Sequence, residues 1–209
     1  MLWTVAYFII MPLFKIFYRF KVMGKENLLR EGPVILASNH TSYLDPIVLG
    51  LAYRRRIFFM AKEELFRIPI LRTLITMFNA FPVKRGSSDR GALRKALEFL
   101  SQDQVVGLFP EGTRHRDGEM GAVQTGIGLL AYKTGAPIVP LGIVGTDKVF
   151  PKGRIFPRFP AIKAIIGKPI LVNANEKATK EKITDLSQKV KEALSELLRK
   201  GGKLESSHS

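Results

Sequence analysis

The chain contains no cysteine. Disulfides, thiolate metal sites and a cysteine acyl-enzyme are therefore excluded, and a reducing compartment suits it. Histidine is scarce as well: His40, His115 and His208 are the whole set, too dispersed for a zinc site, so no metal is expected. Acidic residues are in deficit, 18 against 33 Lys+Arg, which leaves a net charge of +15. That surplus favours anionic partners such as a membrane face, an acidic protein or nucleic acid. Nucleic acid is not expected here, because the main body shows neither a helix-turn-helix signature nor exposed aromatics interleaved with its basic residues. Internal repeats, low-complexity tracts and interior linkers are also missing. With 209 residues, 46% of them hydrophobic, the chain is read as one domain with a substantial core.

What the sequence does have is an uncharged, apolar opening, Met1 to Phe14, followed by Lys15, Arg19 and Lys21 among aromatic and aliphatic residues. Fourteen helical residues cover about 21 Å, short of the roughly 30 Å hydrocarbon layer. A tilted or shallow helix entering one leaflet is expected, with the basic residues at the headgroups, each adding about 1 kcal/mol against anionic lipid. A cleavable leader is disfavoured, because the basic residues follow the apolar run and no small-residue cleavage site is evident. The expected division is a membrane-associating helix over 1–22, a main domain over 23–202 and a disordered tail over 203–209 that resembles an appended sequence.

Through the main domain, short β-branched and aromatic runs alternate with amphipathic ones. Val34–Ser38, Ile57–Ala61, Val105–Phe109 and Ile138–Val144 have strand length, and Ala80–Val83 and Ala161–Ile166 are weaker candidates. Helices are predicted over Pro46–Tyr53 with Asp45 as N-cap, over Ser88–Leu100, over Gly126–Thr134 closed by Gly135, and along a final stripe of Ile183, Leu186, Val190, Leu194 and Leu197. Alternation of this kind specifies an α/β fold with a largely parallel central sheet flanked by helices.

Two stretches carry chemistry. Asn39-His40-Thr41-Ser42-Tyr43-Leu44-Asp45 leaves a strand and enters a helix, at the carboxyl end where open α/β sheets bind ligands. Inside one helix, His40 and Asp45 would point about 140° apart and could not pair. With residues 40–44 in a turn they can meet, and a carboxylate then fixes the imidazole tautomer; a loop histidine beside an ordinary cap is the alternative. Phe109-Pro110-Glu111-Gly112-Thr113-Arg114 also follows a strand. Gly112 permits close backbone approach, Arg114 offers a bidentate donor for phosphate, and Glu111 suits a substrate hydroxyl or the orienting of a base. A polar turn with an ion pair is the alternative.

NHTSYLD and FPEGTR together resemble the first and third motifs of the glycerolipid acyltransferase family, of the 1-acylglycerol-3-phosphate acyltransferase type. A looser second motif matches Lys62-Glu63-Glu64-Leu65-Phe66-Arg67-Ile68-Pro69 and Phe81-Pro82-Val83-Lys84-Arg85, and a fourth matches Ile138-Val139-Pro140-Leu141-Gly142-Ile143. The chain departs from the family habit at Arg72, at Asn79, where glycine is usual, and at Gln124, where a basic residue is common. The resemblance implies that His40 is the general base, steered by Asp45, acting on the sn-2 hydroxyl of lysophosphatidic acid; glycerol-3-phosphate or another lysophospholipid is the alternative acceptor. The acyl group would come from a thioester, acyl-CoA or acyl carrier protein, as co-substrate with no further cofactor. It places Arg85, Arg114 and Lys62 around the acceptor phosphate beside Glu111, Gly112 and Thr113, and it assigns the oxyanion to backbone amides near Gly142 and Ile143. Ile68 to Phe81 is then a candidate acyl-chain groove. The expected location is the cytoplasmic face of the inner (plasma) membrane.

Overall fold

Val34–Ser38 is five consecutive residues with no polar break until its last, a pattern that only a strand covered on both faces supports. In the computed structural model, which describes residues 2–77, 79–83, 90–113, 120–151, 156–174 and 176–206, this segment is β2, fully buried near the middle of a seven-stranded sheet. The other strands are β1 (Lys21–Met23), β3 (Ile57–Lys62), β4 (Ala80–Val83), β5 (Val105–Leu108), β6 (Ile138–Val144) and β7 (Lys163–Ile166), in the order β1-β7-β6-β2-β5-β3-β4. The five strands from β6 to β4 are parallel; β7 runs antiparallel to β6, and β1 runs parallel to β7. The expected parallel α/β sheet is therefore present, with a reversed pair added at one edge.

Helices cover both faces. On one side, α1 (Leu2–Tyr18) and α2 (Asp45–Tyr53) bury Met11, Phe14, Val48 and Leu49 against β2, β6 and β7. On the other, α4 (Arg90–Ser101), α5 (Gly126–Thr134) and α6 (Lys180–Ser206) bury Ala96, Leu100, Leu130, Val190 and Leu194. A short helix α3 (Pro69–Met77) lies in the segment read as an acyl groove. Gly135 closes α5 in the left-handed conformation at φ 69°, donating its N–H to the Ala131 carbonyl as anticipated.

Three local expectations are corrected. The N-terminal helix stops at Tyr18, and Lys21–Met23 already belongs to the sheet, so the chain enters the main fold before residue 23. The last helix runs on to Ser206, so 203–206 are helical rather than a disordered tail; 207–209 lie outside the described residues. Asp45 does not cap α2: it is the first residue of the helix, Leu44 holds the N-cap position, and the aspartate side chain is engaged elsewhere. Asn79 explains its own departure from the family habit. Its φ is 54°, the left-handed region that glycine and asparagine enter most readily.

Gly107 in β5 is a packing requirement. A Cβ there would stand 2.5 Å from the Phe59 ring and 2.8 Å from Ile57 Cγ2. Phe59 in turn stacks on Phe109, their ring centroids 6.3 Å apart at 13°. Gly107→Ala is expected to cost about 1–3 kcal/mol through overpacking of this layer, read as a lowered midpoint in denaturant unfolding.

Candidate active site

Three adjacent strands, β6, β2 and β5, end on the same side, and the turns leaving them converge. After β2 the chain bends through residues 39–44, and Asp45 lies at the start of α2 with no solvent exposure. Its Oδ2 accepts the Thr41 N–H at 2.7 Å and the Ser42 N–H at 2.8 Å, and it lies 3.0 Å from His40 Nδ1. A carboxylate only accepts, so Nδ1 carries the proton. Nε2, the other ring nitrogen, has no hydrogen-bond partner among the described residues and keeps its lone pair for a base's task. The turn thus brings together the two groups that a continuous helix would hold apart.

Asp45 Oδ1 faces the turn after β6. There the Thr146 hydroxyl donates to it at 2.6 Å. Having spent its proton, Thr146 Oγ1 accepts from the Thr41 hydroxyl at 3.1 Å. Four hydrogen bonds from Thr41, Ser42, His40 and Thr146 therefore satisfy a carboxylate that would otherwise be strongly penalised by burial. Thr146 was absent from the sequence reading. It lies 101 residues from Asp45, and only the pairing of β6 with β2 brings it near.

Asn39, also buried, clamps the same strands. Its Nδ2 donates to the Ile143 carbonyl at 3.0 Å, and its Oδ1 accepts the Ile143 N–H at 2.8 Å. That bond removes Ile143 N–H from the role of oxyanion donor assigned by resemblance. The amide at Gly142 belongs to the strand that pairs with β7.

The turn after β5 supports the imidazole from the other side. Phe109 stacks on the His40 ring at 4.1 Å and 22°. Glu111, nearly buried, accepts the His40 backbone N–H at Oε1, 3.2 Å, and the Gly121 N–H at Oε2, 2.9 Å. Glu111, expected on the phosphate side, ties the two motif turns together through these two bonds. Gly112 sits at φ 68° and its N–H is spent on the Phe109 carbonyl at 3.0 Å, so it shapes the turn rather than donating to an anion. A Cβ on Gly112 would collide with the Gln124 amide, so glycine is required on space as well as on conformation. Thr113 is exposed at the end of this turn. Arg85 and Arg114, the expected phosphate ligands, lie outside the described residues, as does the Lys62 side chain, although Lys62 ends β3 opposite Val83.

With this geometry in hand, comparisons with known proteins agree. The family model described as acyltransferase matches residues 19–144, which contain all four motifs. A chloroplast 1-acyl-sn-glycerol-3-phosphate acyltransferase from Brassica napus is 35% identical over 74% of this chain and 46% of its own length. The enzyme of that name from Bacillus subtilis is 29% identical over 85% of this chain and 87% of its own. The crystal structure of the 1-acyl-sn-glycerophosphate acyltransferase PlsC from Thermotoga maritima superposes with a TM-score of 0.71 at 28% identity, covering 94% of this chain and 81% of that one. The chain spans about half the length of the plant relatives it matches.

Thr146→Val, which keeps the shape and removes the hydroxyl, should leave the buried Asp45 Oδ1 without its side-chain donor and cost about 1–3 kcal/mol in urea unfolding. Thr146→Ser should keep most of that stability.

Proposed function

The chain belongs to the acyltransferase family, and on that premise we propose that it transfers a fatty acyl group from an acyl thioester to the sn-2 hydroxyl of 1-acyl-glycerol-3-phosphate, giving phosphatidic acid for phospholipid synthesis. One observation carries the reading: a single imidazole, tied through Nδ1 to a fully buried carboxylate, leaves Nε2 free at the carboxyl ends of the central strands. The His40 side chain is 17% exposed and its partner 0%, so the base is reachable while its anchor is dry.

In this mechanism Nε2 removes the hydroxyl proton as the oxygen attacks the thioester carbonyl. The tetrahedral adduct collapses, the carbon–sulfur bond breaks, and the proton passes from the imidazolium to the leaving thiolate. Asp45 stabilises the imidazolium while it exists and holds the productive tautomer throughout. Attack is direct: Ser42 is not the nucleophile, because it sits in no nucleophile elbow and its Oγ accepts the Leu44 N–H at 3.3 Å. Arg85, Arg114 and Lys62 supply the positive charge for the acceptor phosphate, and the donor arrives as acyl-CoA or acyl-acyl carrier protein. The protein works at the cytoplasmic face of the inner (plasma) membrane, where its acceptor resides.

Membrane attachment rests on α1. At 100° per residue, Met11, Phe14 and Tyr18 fall on one side and pack on the domain. Ile9, Leu13, Ile16 and Phe17 fall on the opposite side and are exposed, Ile16 at 72%, and Phe8 on the flank is exposed as well. A helix apolar on both faces with only one covered by protein calls for a second apolar medium. No helix among the described residues is long and apolar enough to cross a membrane, which fits insertion into one leaflet.

His40→Ala should lower turnover of lysophosphatidic acid by about 10²–10⁴-fold with folding intact; turnover near that of the parent protein would remove His40 from the base role. Asp45→Asn should fall in the same range, because the amide can donate to Nδ1 and so favour the wrong tautomer. In membrane fractions, salt alone should fail to release the protein, whereas detergent should release it.

A further inference from the structure

On the α1 face of the sheet an open cavity of about 790 Å³ lies between α1, β1 with the turn that follows it, and the last turn of α2. It is not the catalytic cleft. α2 carries Asp45 at its first residue and cavity residues at its last, about 12 Å apart along the helix axis. Its apolar wall includes Met11, Phe20, Leu28, Leu29 and Leu51. Its remaining lining is basic: Lys15, Lys21, Lys25, Arg30 and Arg54, together with Arg55. Arg55 is committed to the carbonyls of Leu29, Gly32 and Asp103. The other five form no ion pair with a carboxylate among the described residues, and the cavity lining contains no acidic residue.

Five uncompensated cations around an apolar hollow repel one another, and an occupant that is both anionic and apolar would relieve that repulsion. The volume suits part of a lipid and lies in the usual range for ligand cavities. The cavity also opens on the flank of α1, where Met11 and Lys15 belong to its lining, beside the outward apolar face of that helix. We propose that this cavity is a second lipid site, which takes an anionic phospholipid from the leaflet that α1 enters. The headgroup phosphate sits on Lys15, Lys25 and Arg54, and the start of an acyl chain lies against Leu28, Leu29 and Leu51. The inference deepens the membrane-bound reading above and rests on it. Its function is attachment: the bilayer is gripped by a bound lipid as well as by an inserted helix, which fixes the rotation of the domain about α1.

The test uses the full chain on phosphatidylcholine vesicles with and without phosphatidylglycerol carrying a photoreactive acyl chain. Phosphatidylglycerol is chosen because it lacks the phosphomonoester proposed for the catalytic cleft. Labelling should appear within residues 20–30 and 51–55 as well as on α1. The exposed triple change Lys15→Gln, Lys25→Gln, Arg54→Gln should reduce labelling of those two segments by about 100-fold, from about 1 kcal/mol for each basic residue. The same charge removed from α6 by Lys189→Gln, Lys191→Gln, Arg199→Gln should leave it intact. Labelling confined to the outward side of α1, or equal loss in both triple variants, would overturn the site and leave only diffuse attraction. Failure of the parent protein to bind phosphatidylcholine vesicles at high salt sinks the inserted helix instead. The same labelling in detergent micelles then still decides the cavity.

Discussion

A carboxylate without solvent is the constraint around which the catalytic end of this fold is organised. Asp45 gives up its hydration entirely and is stable only because donors from two separate turns of sequence reach it: two backbone amides and one imidazole from the bend after β2, and one threonine hydroxyl from the turn after β6. Each donor fixes something different. The amides of Thr41 and Ser42 hold the bend after β2, Thr146 fastens that bend to the strand beside it, and the imidazole receives its tautomer and orientation. Removing one partner leaves a buried charge short of a bond, which costs more than the bond itself contributes. The same bonds that hold the fold together here also fix the tautomer and orientation of the imidazole.

The imidazole is held on its other side by packing. Gly107 makes room for Phe59, Phe59 stacks on Phe109, and Phe109 stacks on His40. Glu111 adds a polar tie by accepting from the backbone of His40 and of Gly121. The carboxylate of the FPEGTR stretch thus joins two loops. Activity and stability should be hard to separate at Phe109 and Glu111 for that reason.

How legible this was depends on the range over which each feature is decided. The turn joining His40 to Asp45 is local, and a spacing of five residues that fails in a helix already allowed for it. The strands are legible because buried parallel strands are continuous apolar runs, and Ile138–Val144 and Ala80–Val83 fall where the pattern places them. β1 is three residues long, and burial alternates along it as exposed, half-buried, exposed, so it gives no signal apart from its pairing with β7. The reversal of β7 is likewise a property of the connection, not of its residues. Thr146 and the Asn39–Ile143 clamp depend on contacts more than a hundred residues apart, which no local pattern encodes. Ile143 shows the opposite error: a resemblance supplied an oxyanion role for an amide that the fold had already committed.

The register of the reversed edge has a consequence for how substrate meets the base. Val144, at the carboxyl end of β6, pairs with Lys163, and Lys163 pairs with Lys21 at the start of β1. The end of α1, with Arg19 and Lys21, is therefore level with the turn that carries Thr146, and Arg19 reaches the Phe159 carbonyl in the same region. Phe17 and Tyr18 pack on Phe159 at this junction. If the outward face of α1 enters the hydrocarbon, the basic residues at its end would lie near headgroup depth, with the turn after β6 on the same level along the strands. An acceptor whose phosphate stays among the headgroups then needs little vertical displacement to present its hydroxyl. On the function proposed above, the surplus positive charge would act through placement: a docked helix and a strand register would set the height of the site relative to the headgroups.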